Sequence, residues 1–70
     1  MYTTVALPPL ILTSVDYHIA AAESHEEAAE AHRQAAAAYM YGDFQQANEK
    51  ARLARQYGMQ ASEQCALAME

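Results

Sequence analysis

Three histidines, His18, His25 and His32, recur at intervals of seven residues in the first half of a 70-residue chain. On an α-helix this spacing puts them on one stripe, each about 10 Å from the next. Metal ligands sit about 2 Å from their ion, so one helix cannot bring the three to a shared metal. The single cysteine, Cys65, has Met69 one helical turn beyond it. Imidazole, thiolate and thioether together suit Cu(I) or Zn. A metal-binding protein using His18 and Cys65 with His25 or His32, completed across a symmetry axis, is therefore the alternative reading. The leading reading assigns neither metal nor cofactor: the imidazoles line a helical seam and Cys65 acts as a small hydrophobe. If that seam buries neutral imidazoles, the unfolded chain binds more protons, and stability falls as pH drops through about 6.5.

Glu23, Glu26, Glu27 and Glu30 form an acidic run. A carboxylate-bridged metal pair needs Glu-x-x-His on facing helices, and that spacing does not occur, so the run reads as a solvated face. There is also no glycine-rich phosphate loop and no Ser/His/Asp set. No catalytic residue is assigned, and an enzyme is not expected.

What positions these residues is a helical hairpin. Gly42 can take the left-handed conformation that ends a helix. Asp43 follows it as an N-cap, with Gln46 placed to reach back. One helix ends and another begins within a few residues, so the two run antiparallel. Thr13 or Ser14 can cap the first helix, with Asp16 in its first turn. The expected architecture is all-α: an extended apolar arm over 1–13, then an α-hairpin over 14–70 with helices at about 14–40 and 43–69.

Heptad spacing supports the pairing. On the first helix Val15, His18, Ala22, His25, Ala29, His32, Ala36 and Tyr39 alternate steps of three and four. On the second, Phe44, Ala51, Gly58 and Cys65 alternate with Ala47, Ala54, Ala61 and Ala68. Folding about Gly42 sets Tyr39 against Phe44, His32 against Ala51, His25 against Gly58 and His18 against Cys65. Each bulky residue then faces a small one, and Gly58 makes room for His25 across the seam. In the same register Glu27 and Glu30 come opposite Arg55 and Arg52. The first helix carries a second small-residue seam, Tyr17, Ala21, Ser24, Ala28, Ala31, Ala35 and Ala38, which a lone hairpin leaves open. Either the arm or a second hairpin covers it, and a homodimeric four-helix bundle answers the open face.

Composition points the same way. The formal net charge is −5, and no basic face emerges, which argues against nucleic acid as a partner. The run Val5–Leu12 is short, carries Pro8 and Pro9, and has no preceding base. It makes a poor signal peptide and cannot span a bilayer. A cytoplasmic protein with a reduced thiol is expected, its partners being itself and, through the apolar arm, another protein.

Two resemblances accompany this reading. Tyr39, Gly42-Asp43-Phe44, Ala47, Ala51 and Ala54 resemble the turn of a single tetratricopeptide-type hairpin. Over Ala20–Ala68, the Ala-Ala-x-x-His pattern, the Tyr-x-x-Gly-Asp turn and the alanine heptads that follow are similar to small bacterial Ala/His-rich helical-hairpin proteins. That resemblance implies a fold and no activity. Function thus reads as a small self-associating helical protein with a structural or protein-binding role.

Overall fold

A computed structural model describes residues 13–69. The expected arm over 1–13 lies almost wholly outside the described residues. Two α-helices, α1 (Ser14–Met40) and α2 (Phe44–Ala68), pack along their length as an antiparallel hairpin.

Both helix starts are set by side chains. The Thr13 hydroxyl accepts the Asp16 backbone N–H at 3.2 Å, and the Thr13 backbone N–H donates to the Asp16 carboxylate at 3.1 Å. This reciprocal box satisfies amide protons that the first turn leaves without helical partners. The backbone donor at Thr13, with the Thr13 hydroxyl second, holds the Asp16 carboxyl below its ordinary value of 3.8. At α2, Asp43 accepts the Gln46 backbone N–H at 3.1 Å. Only this half of the expected box forms, since the Gln46 side chain does not reach back.

The turn is held by backbone geometry. Gly42 has φ of 77°, the left-handed region that a Cβ disfavours. The Asp43 N–H donates to the Ala38 carbonyl at 2.9 Å, and the Gly42 N–H to the Tyr39 carbonyl at 3.1 Å. These two bonds form a Schellman motif and satisfy carbonyls at the end of α1. Beside the turn, the Tyr39 and Phe44 rings meet at 6.0 Å between centroids, tilted by 53°, within the range of favourable aromatic pairs.

The core consists of small side chains. α1 buries Ala21, Ser24, Ala28, Ala31, Ala35 and Ala38. α2 buries Ala47, Ala54, Ala61 and Ala68, and Ala47 and Ala61 have no exposed surface. Among the described residues no large side chain is fully buried. The first helix therefore presents its second seam to α2, and the histidine stripe is not the packed one. His18, His25 and His32 are all exposed. The physical reason is the relative cost of the two seams. Packing the stripe would bury three imidazoles whose N–H groups find no partner, each a substantial desolvation penalty. The alternative seam buries a single polar group, Ser24. Its hydroxyl donates to the Gln64 side-chain oxygen on α2 at 2.8 Å.

Two further expectations change with the seam. A Cβ built on Gly58 meets nothing within 4 Å, so Gly58 makes no room for His25 inside the hairpin. Glu27 and Glu30 do not pair with Arg55 and Arg52; among the described residues the ion pair formed is Glu30 with Arg33 at 3.2 Å, within α1. The expected loss of stability near pH 6.5 assumed buried imidazoles, and that premise fails for the hairpin itself.

Replacing Gly42 by alanine forces a Cβ into the left-handed region, and should lower stability by about 1 kcal/mol, read as a lower urea midpoint. The Asp16 carboxyl predicts a local pH effect. Its folded value is depressed, so its contribution is present above 3.8 and is lost as pH falls through the folded value below that. The first turn of α1 should fray on acidification, seen as loss of helical ¹³C shifts at Ser14–Tyr17. An Asp16→Asn chain should show the fraying already at neutral pH.

Candidate functional site

The hairpin has two long faces flanking its seam. Heptad neighbours share a side, so the Tyr39–Phe44 contact settles which stripes lie together. Tyr39 continues the stripe of His18, His25 and His32, and Phe44 that of Ala51, Gly58 and Cys65. The Tyr39 hydroxyl also donates to the Asn48 side chain at 3.3 Å, which places the stripe of Asn48, Arg55 and Ser62 on the same side. Ala22, Ala29 and Ala36 adjoin the histidines. This imidazole face is made of small residues and aromatics, with Arg55 its one fixed charge.

The opposite face is acidic. Glu27, Glu30 and Gln34 on α1 and Lys50, Leu53 and Tyr57 on α2 line one open cleft. Glu23 and Glu26 adjoin Glu27 and Glu30. Lys50 shares the cleft with two carboxylates without closing an ion pair. The acids of α1 are thus solvated, as the sequence suggests.

The layers counted from the turn do not fill the seam. Outward from Gly42 that count sets His32 against Ala51, His25 against Gly58 and His18 against Cys65. Each pair flanks the seam on its open side instead of filling it. Ala51, Gly58 and Cys65 are partly buried at this edge and the histidines are exposed. Cys65 is a free thiol. For the alternative metal reading, His18, Cys65, His25 and His32 share a face and remain strung out along it. Among the described residues no three His, Cys, Asp or Glu side chains gather where they could hold one ion. No helix among them is long and apolar enough to cross a membrane.

Sequence reasoning missed the Ser24–Gln64 bond. Its signal was available: Ser24 is the only polar member of the alanine seam apart from Tyr17, and Gln64 stands on the adjoining edge of α2. A hydroxyl that must be buried points to the seam able to satisfy it.

Comparison with protein-family models, with curated proteins and with solved structures found no match for this chain. Its function is therefore argued from its own geometry.

The assignment of seam and face makes opposite demands on neighbouring positions. Ala28→Leu should overpack the seam and destabilise the hairpin by about 1–3 kcal/mol. Glu26→Leu, two residues away and exposed on another side of α1, should leave the melting temperature unchanged. Thermal melts by circular dichroism compare the two. Equal losses at both positions would contradict the assignment.

Proposed function

We propose that this chain is a self-associating helical module with a structural or protein-binding role, two hairpins forming a four-helix bundle. One observation carries the reading: the hairpin buries nine alanines and a serine and no large side chain in full. An alanine methyl removes little area from water, at about 25 cal/mol per Å². Chains of this size with so thin a core generally need a disulfide, a metal or further burial to hold a fold, and Cys65 has no second cysteine in the sequence to bond. The material for it lies outside the seam. Phe44 is 62% exposed, Tyr39 50% and Ile19 55%. The face that Tyr39 and Phe44 share carries little fixed charge, as the centre of an interface does.

The apolar residues of the arm, Leu7, Leu10, Ile11 and Leu12, belong to the same proposal as large side chains that the alanine seams lack. They lie outside the described residues, and in this reading they add to the bundle or engage another protein.

Sedimentation equilibrium at micromolar concentration tests the proposal. The expected species is twice the 7.7 kDa chain mass, or a higher multiple. A folded monomer of single-chain mass at that concentration would contradict it.

A further inference from the structure

Resting on that self-association, we propose that the partner seated on the imidazole face is a second copy of this chain, with α1 of each hairpin against α2 of the other and each histidine packed on a small residue of its partner. The first ground is Gly58. Glycine inside a helix is less favourable than alanine by about 1 kcal/mol. Within the hairpin nothing requires it there, since an added Cβ meets nothing within 4 Å. A close approach from outside the hairpin accounts for it.

The second ground is steric self-complementarity. On this face, counting outward from the turn sets each histidine of α1 against a small residue of α2: His32 against Ala51, His25 against Gly58, His18 against Cys65. A two-fold axis parallel to the helices keeps levels and exchanges columns. It lays α1 of one copy over α2 of the other, so His25 meets the partner's Gly58 and His32 the partner's Ala51. The same contact occurs twice, as an isologous interface requires. Neighbouring helices in the resulting bundle are all antiparallel.

Charge and area agree. Among the described residues the acids of α1 and Asp43, Glu49 and Glu63 lie on the other face or the back, and no carboxylate stands on the imidazole face. The one fixed charge there, Arg55, is exposed at its outer edge. Two acidic chains can thus meet without bringing their glutamates together, which stacking through the opposite face would force. The shorter helix has 25 residues, about 38 Å at 1.5 Å per residue, and two helices side by side span about 20 Å. The face therefore offers about 760 Å², close to the roughly 800 Å² per partner of a standard stable interface.

The test uses the full-length chain and two variants. Gly58→Leu should raise the dimer dissociation constant at least tenfold in sedimentation equilibrium at pH 7.5, with helix content unchanged. Gln60→Leu, on the opposite side of α2, should leave it within twofold. In a mixture of ¹³C-labelled and unlabelled wild-type chains, filtered NOEs should join the His25 ring to the partner's Gly58 α-protons. A wild-type dimer that Gly58→Leu leaves unchanged would overturn this interface while leaving self-association standing. His25 NOEs to Leu7, Leu10 or Ile11 in place of Gly58 would also overturn it, because the arm would then occupy the face. A monomeric wild type would overturn the self-association reading itself.

Discussion

Close approach of two alanine-lined helices is the constraint on which the rest of this structure depends. Small side chains let backbones come near, and near backbones leave no space for a ring between them. Once Ala28, Ala31 and Ala35 meet the heptad alanines of α2, the histidines must stand at the edge. Their exposure is a consequence of the seam and needs no separate cause. The same packing decides which polar group is buried. Ser24 fits among alanines by size, and the Gln64 side chain reaches it across the helix pair at 2.8 Å.

A seam of this kind makes a well-defined register and a thin core. Gly42, Asp43 and the Schellman bonds fix where the chain reverses, and Thr13 with Asp16 fixes where it starts. Neither device adds much apolar burial. Large side chains that a globular domain would place inside are here displayed at its surface: Tyr39, Phe44, Val15 and Ile19 all remain more than one-third exposed. Structure and proposed role are linked by that displacement. A hairpin whose interior is complete with methyl groups leaves its larger apolar residues at the surface.

The helices and the turn were legible in the sequence because their signals are local. A glycine followed by an Asp cap, and a Thr followed three residues later by an acid, mark helix ends through backbone hydrogen bonds. The choice of seam was not legible in the same way. Both stripes of α1 obey the heptad spacing and both contain alanines, so periodicity cannot separate them. What separates them is a comparison of desolvation, three imidazoles against one hydroxyl with a partner on the other helix. The ion pairs went with the seam: rotating α1 by about a quarter turn carried Glu27 and Glu30 to the Lys50 side, away from Arg55. The His25–Gly58 layer does not form in the seam, since His25 is exposed and a Cβ on Gly58 meets nothing within 4 Å. The candidate site was legible as a stripe of residues, and its accessibility was not.

We propose that the alanine hairpin draws much of its stability from association with its own kind. For such a protein, folding and assembly are linked by mass action. The most direct test is thermal unfolding of the full-length chain over a hundredfold range of concentration, from about 2 to 200 μM. The midpoint should rise by several degrees with concentration. A midpoint that stays constant across that range would contradict the claim and identify the hairpin as a self-sufficient fold.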